Sequence, residues 1–233
     1  MTGFARHRRS RLVIATFTGF EADLLRNLAA QLVELLRNEA AVPNDDKDPF
    51  EAMMDFSGFE ADLLRSLASQ LVELLRNERA VPIHADDPLE ALLDFTGPTE
   101  EPDDPVLARL FPTAYPDDPE AAGDFRRFTE GTLRDGKADA AVALIDGLEE
   151  AGLPPELSED GLVIDVELDE ATAETWMRSF TDMRLALATR LEVEEGDEDY
   201  WATLAEDDPR GQAHDIYLWM GYLQETLVEA LTS

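Results

Sequence analysis

The sequence contains no cysteine among its 233 residues. Disulfide bonds, catalysis by a thiolate and metal sites built from thiolates are therefore excluded. Basic residues are also scarce, since 19 lysines and arginines face 52 aspartates and glutamates, and the formal net charge is −33. Such a body repels the phosphates of DNA and RNA, so we expect no direct nucleic-acid binding by it and a preference for basic partners. The acidity is equally consistent with a trait of the whole host, such as adaptation to salt.

Long apolar runs are absent as well, and no stretch approaches the length of a membrane span. The N-terminus is a basic arm with four arginines before the first acidic residue, Glu21. The apolar run that follows, Leu12–Phe17, is too short for a signal peptide and ends at a helix cap. We therefore expect a cytoplasmic protein with no membrane partner. The arm either touches nucleic acid or, more simply, is a frayed terminus attracted to the protein's own acidic surface.

Histidine is rare, and the three histidines, His7, His84 and His214, are widely separated in the sequence. No Glu-x-x-His pair is present to build a di-metal carboxylate site. His7 falls in the basic arm and His84 in a loop, and His214 is interpreted as a surface or capping residue at a helix start.

Carboxylates are abundant, but their spacing does not indicate a site. One cluster of acidic residues lacks the glycine at position six and the glutamate at position twelve that an EF-hand calcium loop requires. We interpret this cluster as a solvated helix end and loop: Glu192, Glu194, Glu195, Asp197 and Asp199. Glycine-rich phosphate loops and nucleophile elbows are also missing. We predict no catalytic, cofactor-binding or metal-binding residue, no cofactor and no enzymatic activity.

Aromatic residues near the C-terminus recur at helical spacing. They are compatible with a ligand box, but core packing is the better interpretation of this spacing. The residues are Trp176, Phe180, Tyr217, Trp219 and Tyr222.

One segment of the chain occurs twice in tandem. The sequence from Gly19 to Phe56 returns from Gly58 to Phe95, 39 residues further on, with about three positions in four identical. This likeness identifies a tandem duplication, and we name residues 18–56 copy 1 and residues 57–95 copy 2. Because the two apolar faces are almost identical, either copy fits one position in the fold. The copy that does not occupy this position is expected to pack beside its twin or on another molecule. The alternative, a duplication without any function, is equally consistent with the sequence.

Local patterns predict a mainly α-helical bundle with a minor two-stranded β element. A β-branched segment at about 11–17 indicates a strand, and the alternating segment at about 162–168 indicates a second strand that pairs with it. Thr18 and Glu21 have the spacing of a capping box. The helix that follows has an apolar stripe at intervals of three and four residues: Phe20, Leu24, Leu28, Leu32 and Leu35.

Further helices are predicted from caps, prolines and periodicity. They cover residues 105–110, 118–128, 129–152 with Thr129 as a new cap, 170–193 and 212–231, and each copy adds a second short helix after Asp48-Pro49 or Asp87-Pro88. Glu194–Asp199 is predicted to be an acidic loop. The predicted organisation is a single helical domain over 1–233, with the two copies, an acidic linker at 96–104 and a C-terminal helical body at 105–233.

Several segments in order resemble one protein family. They read FEADLLRSLASQLVELL in copy 2, DPVLARLFPTAYPDD (104–118), FRRFTE (125–130), WMRSFTDMRLALATRLEV (176–193) and YLWMGYLQETLVEAL (217–231). Their order and spacing resemble an actinobacterial domain-of-unknown-function family that includes the oxidative-stress transcriptional regulator AosR. The resemblance covers essentially the whole chain except the extra copy, since the family pattern has one FEADLLR helix. No functional residue is carried over.

The resemblance implies a cytoplasmic, non-enzymatic regulatory protein that acts through protein–protein contacts. The implied partner is a sigma factor or another transcription component. The alternative is an adaptor or scaffold linked to Clp proteolysis, because family genes tend to lie near a Clp-adaptor gene. Redox sensing through a cysteine pair cannot operate in a chain without cysteine. A homo-oligomer formed through the duplicated helix is a further hypothesis.

Overall fold

The computed structural model describes residues 3–8, 10–37, 97–155, 161–205 and 208–233. Copy 2, the predicted short helices after Asp48 and Asp87, and His84 lie outside the described residues. Within them, six helices and three short strands form a mainly α-helical fold, as the sequence predicts. In chain order the elements are β1 (Ala5–Arg6), β2 (Val13–Thr18), α1 (Gly19–Arg37), α2 (Pro105–Leu110), α3 (Pro119–Glu150), β3 (Val163–Leu168), α4 (Glu170–Leu191), α5 (Glu198–Ala202) and α6 (Pro209–Thr232).

The sheet has the order β1-β2-β3 and is antiparallel throughout. The predicted pairing of the N-terminal strand with the strand near 162–168 is confirmed, with Ala15 opposite Val166 and Phe17 opposite Ile164. Alternate residues of β3 are buried, as expected for a strand with one face on the core. The third strand, β1, adds to the predicted two-stranded element and contains only two residues, which is too short for a period-two pattern to reveal.

The β2–α1 junction contains the predicted capping box. The amide and hydroxyl of Thr18 donate to Glu21 Oε2 at 2.8 and 2.9 Å, and the amide of Glu21 donates back to Thr18 Oγ1 at 3.2 Å. These bonds satisfy donors that the first turn of a helix leaves unpaired. The strand therefore passes directly into the helix without a loop.

The apolar stripe predicted for α1 is only partly the buried one. Leu28 and Leu32 face the core, but Phe20 is 73% exposed. Leu25 and Leu36 are buried, whereas Leu24 and Leu35, which belong to the predicted stripe, are half-buried. The small residues Ala22 and Ala29, which leave room for close packing against α3 and α4, turn this face of the helix inward.

The prediction of separate helices at 118–128 and 129–152 is wrong, because α3 runs without a break from Pro119 to Glu150. Thr129 does not cap a helix. Its hydroxyl donates to the carbonyl of Phe125 at 2.7 Å, one turn back inside the same helix. The glycines at 131, 136 and 147 do not interrupt α3.

The core is centred on α4, which contacts α1, α2, α3, α6 and β3. One face of α4 is buried and carries five large apolar residues: Trp176, Phe180, Met183, Leu187 and Leu191. The rings of Trp176 and Phe180 meet edge to face with centroids 6.1 Å apart, a favourable aromatic arrangement.

The N-terminal arm is not a frayed terminus, which corrects the simpler of the two predictions for it. Phe4 is buried and its ring lies 5.8 Å from that of Phe17 and 6.2 Å from that of Trp176. Arg6 donates to the carbonyl of Leu231 at 3.3 Å and to that of Ser233 at 2.8 Å. The arm is therefore held by aromatic packing and by cationic capping of the C-terminal helix.

The C-terminal region differs from the prediction at two places. The predicted acidic loop at Glu194–Asp199 ends early, because the short helix α5 begins at Glu198. The last helix, α6, begins at Pro209 rather than near Gln212, with Asp208 accepting the amide of Arg210 at 2.8 Å. The predicted division of the chain into linker and body stays a prediction.

Candidate interaction surface

The histidines that the structure describes are used in local contacts. His7 Nδ1 lies 2.8 Å from Ser10 Oγ, and the His214 ring stacks on Trp201 with centroids 4.3 Å apart. Across the described ranges, no three side chains of the metal-binding kinds are grouped so that they could hold an ion. In the same ranges, no helix has the length and apolar character needed to cross a membrane.

The outer face of α6 exposes large apolar side chains next to carboxylates. Leu218 is 54% exposed, Val228 41% and Tyr222 37%. Glu225 and Glu229 lie on the same side of the helix, since Tyr222 follows Leu218 by four residues, Glu225 follows Tyr222 by three, and Val228 and Glu229 follow Glu225 by three and four. We call Leu218, Tyr222, Glu225, Val228 and Glu229 the α6 face. The opposite side of α6 carries buried Trp219, Leu223, Leu227 and Ala230.

An open groove of about 790 Å³ runs beside the α6 face, and Arg184 of α4 lines one of its walls. Its Nη1 donates to Gln224 Oε1 at 2.6 Å, and its guanidinium lies 5.1 Å from the ring centre of Tyr217. The Arg184 side chain passes close to Gly221 of α6, where a Cβ would lie only 3.3 Å from Arg184 Nη2. The cation that borders the groove is therefore held in place by α6 itself.

A second, more polar recess surrounds α5. Arg210 of α6 donates to the Tyr200 hydroxyl and to the carbonyl of Leu191, both at 3.1 Å. Its guanidinium lies within 5.7 Å of the centres of the Tyr200 and Trp201 rings. The protein's own cation thus lies against both rings of this recess.

The acidic residues around this recess serve mainly local structure. The Glu194 amide donates to Asp197 Oδ2 at 2.9 Å, and this bond is the largest cause that lowers the pKa of Asp197, with smaller contributions from Trp201 and from His214. Glu192 ends α4 in the left-handed conformation, with φ at 56°. The interpretation of Glu192 to Asp199 as a helix end and a solvent-exposed segment agrees with their positions.

A buried charged cluster, which sequence reasoning missed, lies inside the fold rather than on its surface. Glu130 is 2% exposed and pairs with Arg126 and, at 2.6 Å, with Arg134. Arg126 also donates to the carbonyl of Phe111, and Arg134 to that of Leu36. The spacing of these residues, four apart on one helix, was the available signal. The cluster joins α1, α2 and α3, so its role is structural.

Tyr222 and Tyr217 depart from the prediction that the C-terminal aromatics are core residues. Trp176, Phe180 and Trp219 are buried, but Tyr217 is half-buried and Tyr222 is exposed. Tyr222 follows Trp219 by three residues, so a helical pattern places it near the boundary of the inner face. Whether Tyr222 is buried or exposed therefore depends on how α6 packs on α4.

The described residues thus define a helical domain with a small antiparallel sheet and an exposed groove along its last helix. The chain belongs to the DUF2017 family, a domain of unknown function, whose family model matches residues 51–231. This confirms the family resemblance seen in the sequence. No solved structure matches the chain significantly.

One curated relative is a protein of Mycobacterium leprae (strain TN) named "Putative oxidative stress regulator AosR". It is 34% identical to this chain over 148 residues. The alignment covers 58% of this chain and 62% of the relative, so the chain spans less than two thirds of that protein's length.

Proposed function

We propose that the protein is a non-enzymatic regulator that acts by binding a protein partner of the transcription machinery, such as a sigma factor, through the α6 face. The name of the M. leprae relative supports a role in the response to oxidative stress. The observation that carries the binding proposal is the row of exposed Leu218, Tyr222 and Val228 along one helix. Exposed apolar side chains that cluster on a surface, rimmed by polar residues, are typical of protein–protein contact sites.

The partner that fits this face is an amphipathic helix with basic residues at its edges. Leu218, Tyr222 and Val228 supply apolar contacts for the inner side of such a helix, and Glu225 and Glu229 supply counter-charges for its edge. The net charge of −33 attracts a basic partner at long range and accelerates encounter. The same charge disfavours nucleic acid as the direct partner of the acidic body.

Stress sensing in this protein does not use its own thiols, because the sequence contains no cysteine. A regulatory response to oxidants therefore resides in the partner, in the abundance of the protein or in residues other than cysteine. This consequence separates the chain from regulators in which a cysteine pair forms the switch.

The test is affinity purification of the tagged protein from its own cells, with three baits compared. The first bait is the wild type and the second is Leu218→Arg, which places a cation on the α6 face. The third is Val163→Arg, a matched control, because Val163 is 57% exposed on β3, outside the α6 face. The proposal expects the wild type and Val163→Arg to recover a sigma factor or polymerase subunit, and Leu218→Arg to recover less than a tenth as much.

Two results would overturn the proposal. Equal recovery by all three baits would remove the α6 face as the contact, and recovery of Clp components without transcription components would favour the adaptor or scaffold function. Loss of the partner between low and moderate salt would support the electrostatic part of the argument, because screening weakens exposed charge pairs.

A further inference from the structure

The surface on which α1 packs is formed by α3, α4 and β3, and we call it the α1 seat. The helix meets it mainly through small and branched apolar residues, with one ion pair included. The buried residues of α1 are Gly19, Ala22, Asp23, Leu25, Arg26, Leu28, Ala29, Leu32 and Leu36.

Every one of these buried residues is repeated in copy 2, 39 positions further on. The counterparts are identical in type: Gly58, Ala61, Asp62, Leu64, Arg65, Leu67, Ala68, Leu71 and Leu75. Between 19–37 and 58–76 only two positions differ, where Asn27 is replaced by Ser66 and Ala30 by Ser69. Neither Asn27 nor Ala30 is buried in α1. The seat therefore cannot distinguish the two helices by the side chains that it contacts.

The polar contacts of the seat are also available to copy 2. Arg26 pairs with Asp23 and donates to the carbonyl of Pro154 at 2.6 Å, and Arg65 and Asp62 supply the same groups. Arg134 donates to the carbonyl of Leu36 at 3.4 Å, which is a backbone contact and needs no particular side chain. The capping-box sequence is repeated as well, since Ser57 and Glu60 correspond to Thr18 and Glu21.

The residues that precede each helix show the same correspondence. Val13, Ala15 and Phe17 are the buried residues of β2, and the positions 39 residues later are also apolar: Ala52, Met54 and Phe56. The family model begins its match at residue 51, so it includes copy 2 and omits β2 and α1. The α1 seat thus holds copy 1 in the structure, whereas the family model matches copy 2.

We propose that the α1 seat accepts copy 2 of the same chain as an alternative to copy 1. The two arrangements bury the same side chains at the seat, so their free energies differ mainly through what is attached to each helix. Copy 1 is favoured by the N-terminal arm, since β1 pairs with β2 and Phe4 packs on Phe17 and Trp176. Seating copy 2 would release β1, β2 and α1 together as an N-terminal segment.

The first experiment uses full-length variants that make one copy unfit for burial. Leu25 is completely buried, so Leu25→Asp places a carboxylate in the core when copy 1 is seated. The matched variant is Leu64→Asp in copy 2, and the third variant carries both changes. The proposal expects each single variant to keep helical circular dichroism and a cooperative melting transition, and the double variant to lose both. If Leu25→Asp alone unfolds as completely as the double variant, copy 2 does not replace copy 1 and the proposal is wrong.

The second experiment detects the seated copy directly by disulfide trapping, which is unambiguous because the chain has no cysteine of its own. Thr16 lies opposite Asp165 in the β2–β3 ladder, so Thr16→Cys with Asp165→Cys reports copy 1. Asp55 occupies the equivalent place before copy 2, so Asp55→Cys with Asp165→Cys reports copy 2.

The expected result is an intramolecular disulfide in both cysteine pairs, with the copy 2 disulfide increasing several-fold when Leu25→Asp is added. Peptide mapping identifies the bond and a non-reducing gel separates monomer from dimer. A copy 1 disulfide alone, or a copy 2 bond that forms only between two chains, would overturn the proposal.

Discussion

Gly147 of α3 lies directly against the indole of Trp176 of α4. A Cβ at this position would be 2.8 Å from Trp176 Cζ2, closer than a carbon–carbon contact permits. Because Trp176 is fully buried, its ring cannot move away from a new Cβ without displacing neighbouring side chains. We expect Gly147→Ala to lower the free energy of unfolding by about 1–3 kcal/mol through overpacking, measured by urea denaturation.

The same helix offers a matched control for this prediction. Gly136 has nothing within 4 Å of the place where a Cβ would lie. There Gly136→Ala removes only the backbone freedom of glycine in a helix interior, and it should raise the free energy of unfolding by about 1 kcal/mol. Equal stabilisation by both alanines would show that the α3–α4 contact is looser than the structure has it.

The buried cluster around Glu130 provides a second prediction. Glu130→Gln removes the negative charge that Arg126 and Arg134 share, while keeping the size of the side chain. Breaking a buried ion pair leaves charge poorly compensated, so we expect a loss of about 3 kcal/mol in the free energy of unfolding.

The control for this change is Glu149→Gln, at an exposed position of the same helix, which should alter stability by less than about 0.5 kcal/mol. Chemical denaturation at pH 7 measures both variants. Similar small effects would mean that solvent reaches the Glu130 carboxylate and that the cluster is not a buried one.

The parts of this fold that depend on neighbours in sequence are the ones the sequence predicts well. Thr18 and Glu21 meet within one turn, so their spacing alone indicates the capping box. The buried cluster around Glu130 includes the carbonyls of Phe111 and Leu36, which approach Arg126 and Arg134 only in the folded chain. Likewise the exposure of Tyr222 follows from how α6 packs, and Phe4 is anchored by rings from β2 and α4. These contacts leave no local pattern to recognise.

Burial of a carboxylate also gives a prediction about pH. Asp182 of α4 accepts a hydrogen bond from Lys137 Nζ at 2.6 Å, but burial outweighs this pairing and raises the pKa of Asp182 above its ordinary value of 3.8. The folded state therefore holds the proton to higher pH than the unfolded chain does. The contribution of Asp182 to stability is full below pH 3.8 and is lost as pH rises through the raised pKa.

Asp182→Asn should remove this loss, because an amide does not titrate and its oxygen can still accept from Lys137. The free energy of unfolding of the variant minus that of the wild type should therefore rise as pH increases from about 4 to 7. Urea denaturation at several pH values measures this difference. Asp135→Asn, at an exposed position of α3, is the control, and a flat difference for Asp182→Asn would contradict the prediction.

The N-terminal arm gives the last prediction, which concerns Phe4. Its ring lies within 6.2 Å of those of Phe17, Trp176 and Phe180, and its amide donates to Thr226 Oγ1 at 3.1 Å. Phe4→Ala should lower the free energy of unfolding by about 3 kcal/mol, because it leaves a cavity between β2, α4 and α6. Arg8→Ala, at an exposed position of the same arm, should change it by less than about 0.5 kcal/mol. If Phe4→Ala were as mild as Arg8→Ala, the arm would not be part of the core, and the advantage that it gives copy 1 at the α1 seat would disappear with it.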